Sequence, residues 1–114
     1  MKLTDLCQAL SLDVRAAAQS LDREVTGGYA SDLLSCVMAR AQAGNVWVTM
    51  QGHPNIVAVA SLLDLAGIIV SQGMSIDAAT IAKAEEEGLP ILASTLTTYT
   101  LVGRLFDLGV PGVD

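Results

Sequence analysis

A single histidine, six cationic side chains and two thiols are the groups from which chemistry could be built in this 114-residue sequence. His53 could act as a general base, contact a ligand, or open a helix while its ring bonds a neighbouring loop. No nucleophile stands at motif spacing from it and no second ligand stands at metal spacing, which favours binding or structure over catalysis. Gln51 and Asn55 beside it either meet the same ligand or cap a helix and tie loops together. Arg23, flanked by Asp22 and Glu24, reads either as a loop-fixing ion pair or as a bidentate grip on a carboxylate or phosphate. Gly27-Gly28 after Thr26 would let backbone approach an anion. Neither GxxxxGK[ST] nor GxGxxG occurs, so ATP hydrolysis and kinase chemistry lack their parts.

The thiols lead nowhere catalytic. Cys7 and Cys36 are too few for a disulfide scaffold and lack the paired spacing of a zinc site. Cys7 falls among Leu3, Leu6 and Leu10 at helical spacing and is expected to be buried. Cys36 falls off the stripe of Leu33, Leu34, Val37, Met38 and Ala41, facing solvent or a partner chain. Glu85-Glu86-Glu87 ends a helix against its macrodipole and reads as a solvated face.

Charge excludes two partner classes. The net charge is -6 and the pI about 4.4, while Lys2, Arg15, Arg23, Arg40, Lys83 and Arg104 are scattered along the chain. Without a basic patch, neither nucleic acid nor an anionic membrane surface is expected as a partner. The apolar run from Asn55 to Val70 is interrupted by Ser61, Asp64 and Gly67 and is shorter than the roughly 20 residues of a span. Met1 to Asp5 lacks the features of an export signal, so the expected compartment is the cytoplasm. A hydrophobic fraction of 52% against 16% charged, with mean hydropathy +0.51, calls for one folded domain with a substantial core.

The elements that must position these residues follow from periodicity. Thr4 is expected to cap a helix over Asp5 to Leu10, and Val14 to Ala17 to form a brief strand. Glu24 to Tyr29 reads as extended, broken by Gly27-Gly28, after which Ser31 or Asp32 caps a helix to about Ala41. Gly44-Asn45 turns the chain into a strand at Val46 to Met50. Pro54 then opens a helix from Asn55 to Leu65 that is apolar around most of its circumference and so should touch two layers, within the chain or across subunits. Gly67 to Val70 is a buried strand. Ser75 caps the next helix, which Gly88 closes. Pro90 to Ala93 is a further strand, and Ser94 to Thr98 leads into a helix bearing Leu101, Val102, Leu105 and Phe106, stopped by Gly109.

Strands separated by single helices form right-handed crossovers in a largely parallel sheet covered on both faces. The fold class is therefore α/β: a single compact domain over residues 1–114 with a largely parallel sheet flanked by helices. Ligands in such sheets bind beyond the carboxyl ends of the strands. Four loops are expected to share that rim: Thr26-Gly27-Gly28, Gln51 to Asn55, Ser71-Gln72-Gly73, and Ser94-Thr95 with Thr97-Thr98. The candidate ligand site is Arg23, Thr26, Gly27, Gly28, Gln51, Gly52, His53, Asn55 and Thr95. No catalytic residue, metal or cofactor is assigned.

Asp22-Arg23-Glu24-Val25-Thr26-Gly27-Gly28 resembles the signature of the DRTGG domain family. Asp32 to Met38, Trp47 to Asn55, Ala58-Val59-Ala60 and Ala84 to Pro90 are similar to its later blocks, so the resemblance covers nearly the whole chain. Cys36 stands where an acidic residue is expected. The family is similar to the N-terminal domain of HPr kinase/phosphorylase and occurs beside CBS domains in some pyrophosphatases and within some phosphotransacetylases. The resemblance implies an accessory, regulatory α/β module that helps proteins dimerise or respond to a ligand. A serine kinase label would reflect similarity alone, since no P-loop is present. The expected function is a non-catalytic regulatory and self-association module, a homodimer or higher homo-oligomer. It would sense a small anionic metabolite or nucleotide, or meet a protein partner. The alternative is a small enzyme using His53 as acid or base.

Overall fold

Every residue from Asn45 to Thr49 is buried, which is the environment of an inner strand covered on both faces. The computed structural model describes residues 1–114. Its elements are α1 (Leu3–Leu10), β1 (Asp13–Ala16), a 3-10 turn (Ala18–Ser20), β2 (Gly27–Ala30), α2 (Leu34–Arg40) and β3 (Asn45–Thr49). They continue with α3 (Asn55–Leu62), β4 (Gly67–Val70), α4 (Ala78–Glu87), β5 (Ile91–Ala93) and α5 (Thr98–Asp107). The sheet order is β1-β5-β4-β3-β2. β2 to β5 are parallel, and β1 is antiparallel at the edge beside β5.

The period of two along each strand sorts side chains to opposite faces. Tyr29, Trp47, Ile68 and Ile91 align across the sheet in register and pack with Val37, Ile56, Val57, Ala60 and Ala84 beneath α2, α3 and α4. Val48, Ile69 and Leu92 form the opposite row and pack with Leu3 and Leu6 of α1 and Leu101 and Leu105 of α5. Three crossovers that each step to the next strand with one hand place their helices on one face, which leaves the other to α1 and α5. The Cα radius of gyration is 12.1 Å, below the roughly 13 Å typical of a chain this long, so the molecule is one compact domain.

Several local expectations are corrected. α1 starts at Leu3, because the Asp5 carboxylate accepts the Lys2 backbone N–H at 2.8 Å, while the Thr4 hydroxyl donates to Leu21 O at 2.9 Å and caps nothing. α3 ends at Leu62 rather than Leu65, where Asp64 takes a left-handed turn at φ 58°. Most of its apolar surface is answered inside the chain, where α3 lies between α2 and α4, while Leu62 stays exposed. Asp77 occupies the start of α4, not Ser75. In α2, Val37 is buried but Leu33 and Met38 face outward, and Cys36, like Cys7, is half-buried. Glu85 is more than a solvated face: its carboxylate accepts the Ala17 backbone N–H and ties α4 to the end of β1. Gly88 closes α4 at φ +66°, as its position predicts.

Candidate functional site

The four loops expected on one rim lie at two opposite ends of the sheet. β2 begins at Gly27, which pairs with Asn45 at the start of β3, so Arg23, Thr26, Gly27 and Gly28 sit at the amino ends of the parallel strands. Glu24 is extended, but it bridges to Lys2 rather than joining the sheet. The strand therefore starts later than its residue types suggest, and the loop at its carboxyl end is Ser31-Asp32-Leu33.

At the amino end these residues act as a clasp. Arg23 donates from Nη1 to Asp64 Oδ1 at 2.9 Å and from Nη2 to Asp64 O at 2.8 Å, gripping the turn between α3 and β4. That hydrogen bond, with the guanidinium charge behind it, holds the Asp64 carboxyl below its ordinary pKa. The Thr26 hydroxyl donates to Ala43 O at 2.9 Å and accepts from Asn45 Nδ2 at 3.2 Å, fixing the turn into β3. The glycine pair admits the C-terminal segment: a Cβ on Gly27 would stand 3.0 Å from Pro111 O, and the Gly28 N–H donates to that same oxygen at 2.8 Å. A cavity of about 210 Å³ opens beside Arg23, but Asp64 and Glu87 share its wall, which makes it a poor place for an anion.

At the carboxyl end, Gln51 and Gly52 are likewise engaged within the chain. Gln51 Nε2 donates to Asp32 O, and Asp32 Oδ1 accepts from Thr49 Oγ1 and from the Met50 N–H, each at 2.7 Å. Asp32 thus ties two loops instead of capping α2. The Gly52 carbonyl accepts from Asp77 N at 3.0 Å and from Thr80 Oγ1 at 2.7 Å. A Cβ on Gly52 would stand 2.1 Å from Ser75 O. His53 and Asn55 are exposed and line none of the cavities. No three His, Cys, Asp or Glu side chains converge as metal ligands would. Burial raises the Cys7 thiol above its ordinary pKa, which keeps it protonated and unreactive at neutral pH.

The chain leaves β4 toward α4 on one face and leaves β5 toward α5 on the other, so the crevice of a doubly wound sheet belongs between these two carboxyl ends. Hydrogen bonds close it: Ser71 Oγ and Thr98 Oγ1 meet at 2.7 Å, Gln72 N donates to Leu96 O at 2.8 Å, and Gly73 N donates to Ser94 O at 2.9 Å. The opening lies one strand further along, where the start of β1 runs beside the end of β5. A cavity of about 460 Å³ there carries Arg15 of β1, Arg104 of α5, and the hydroxyl side chains of Ser11, Ser94 and Thr95. Leu10, Met74 and Leu96 contribute apolar surface. Of the expected site residues only Thr95 is here. Arg15 and Arg104 carry no motif, and only the pairing of β1 with β5 brings these distant positions to one cavity.

The DRTGG domain family matches residues 5–108. The chain belongs to that family. In this DRTGG domain the signature residues Arg23, Thr26, Gly27 and Gly28 form the clasp described above. The fold is similar to that of the CBS and DRTGG domains of the regulatory region of Clostridium perfringens pyrophosphatase, solved with its activator diadenosine tetraphosphate. The TM-score is 0.73 at 14% identity, covering 96% of this chain and 47% of that one. The DRTGG domain thus spans about half the length of that regulatory region. No curated protein matches the sequence, and no helix is long and apolar enough to cross a membrane.

Proposed function

We propose that this DRTGG domain is a non-catalytic regulatory module of the cytoplasm that self-associates and responds to a small anionic metabolite or nucleotide. The observation that carries the reading is an outward apolar stripe on α5, beside the outer edge of β2 where the C-terminal segment covers Gly28. Tyr99, Val102 and Phe106 are 91%, 38% and 67% exposed and recur at the spacing of one helix face. Next to them, β2 has β3 as its sole sheet neighbour. Between them lies a mostly apolar cavity of about 260 Å³ lined by Tyr29, Val102, Phe106 and Val110, with Asp114 as its one acidic residue.

A second copy suits this face. Two chains of net charge -6 repel over most of their surfaces, so a contact between them has to be apolar and poor in carboxylates. A two-fold axis would set stripe against stripe, covering apolar side chains that are otherwise exposed. The regulatory part is supported by the family and by the likeness to a regulatory region that binds a dinucleotide activator. The non-catalytic part draws on the same likeness to a regulatory region.

Sedimentation velocity tests the reading. The wild-type chain should sediment as a dimer, and Phe106→Glu should sediment as a monomer with an unchanged circular dichroism spectrum. A wild-type chain that stays monomeric at high concentration overturns self-association.

A further inference from the structure

The geometry points to the cavity between β1, β5 and α5 as a binding site for a nucleoside phosphate; this rests on the ligand-sensing part of the function proposed above and gives it a location. Four features converge. The volume of about 460 Å³ lies within the roughly 300 to 1,000 Å³ of small-molecule sites. Arg15 and Arg104 bring two of the six cations of an acidic chain to the lining of this one cavity, and guanidiniums are suited to phosphate oxygens. Unlike Arg23, neither is committed: Arg15 has only a long 3.9 Å contact from Nε to Asp13 Oδ2, and Arg104 has no carboxylate within ion-pair distance.

The remaining lining distinguishes a nucleotide from bare phosphate. Asp13 offers a carboxylate that accepts hydrogen bonds from sugar hydroxyls, while two cations against one anion keep the cavity net positive. Leu10, Met74 and Leu96 offer apolar surface to a base, and Met74 is 48% exposed, so that stacking a flat ring would cover it. The hydroxyls of Ser11 and Thr95 supply further donors at the rim. The other two cavities lack this combination: one sets two carboxylates against its arginine, and the other is mostly apolar.

Isothermal titration calorimetry of the full chain with AMP, ATP, adenosine and inorganic phosphate tests the assignment. AMP and ATP should bind, adenosine and inorganic phosphate should bind at least tenfold more weakly, and added salt should weaken the nucleotides. Arg15→Gln and Arg104→Gln keep the side-chain stems and should each lower nucleotide affinity at least tenfold, while Arg23→Ala should leave it unchanged. Nucleotide binding that survives both glutamine variants overturns this location and leaves sensing in place. Inorganic phosphate that binds as tightly as AMP overturns the nucleoside assignment. If none of the four probes binds, the nucleoside-phosphate assignment falls, whereas the dimer is judged separately by sedimentation.

Discussion

Gly52 illustrates how a residue that reads as a ligand contact is set by packing. Its carbonyl receives Asp77 N and Thr80 Oγ1 at the start of α4, and a methyl on its Cα would meet the Ser75 carbonyl at 2.1 Å. Because the obstacle is backbone, it cannot rotate aside. Gly52→Ala should therefore cost at least the roughly 1–3 kcal/mol usual for overpacking, read from the midpoint of urea unfolding. An unchanged midpoint would mean that the loop shifts freely and that the glycine serves another purpose. Gln51 was legible only as a choice between capping, loop tying and ligand contact. The position of Asp32 at the end of β2 decides for loop tying, and a residue in the next loop is invisible to local spacing.

Among the elements, β2 and β3 are coupled through the loops that follow them. Thr49 is 1% exposed, and its hydroxyl meets Asp32 Oδ1 at 2.7 Å, while Trp47 Nε1 donates to Ser31 O at 2.9 Å. Asp32→Ala leaves a buried hydroxyl and a backbone N–H without this acceptor, so it should destabilise by about 1–3 kcal/mol. Asp32→Asn, which retains an oxygen acceptor, should lose less. Amide exchange should rise first in residues 31–33 and 50–53; a uniform rise over the whole sheet would contradict a local tie. The same coupling explains a missed boundary. Glu24-Val25-Thr26 has strand-like character, yet the sheet begins at Gly27 because Thr26 is held by Ala43 and Asn45 at the preceding turn.

Across the whole molecule, the DRTGG signature joins segments far apart in sequence at the amino end of the sheet. The Arg23–Asp64 pair makes that clasp sensitive to acid. Asp64 has its folded-state pKa lowered, first by the Arg23 hydrogen bond and then by its charge. The stabilisation is present above the ordinary aspartate pKa of about 3.9 and is lost as pH falls through the lower folded-state value. Stability should thus drop on acidification through this window, and Arg23→Ala should flatten that part of the profile while sparing neutral-pH nucleotide binding. An identical acid profile in the variant would show that Asp64 gains nothing from the pair. The carboxylate is exposed, so salt should weaken the effect.

Local composition and periodicity determined the α/β class, the succession of strands and helices from β3 onward and the closure of α4 at Gly88. Each depends on residues close together along the chain, where side-chain period and backbone preference act directly. Tertiary structure decided which end of the sheet holds the glycine pair, which neighbours flank α3, and that Arg15 and Arg104 line one cavity. Those outcomes depend on strand register and on an antiparallel pairing of β1 with β5, which arise from contacts between distant segments and leave no mark in the spacing of either.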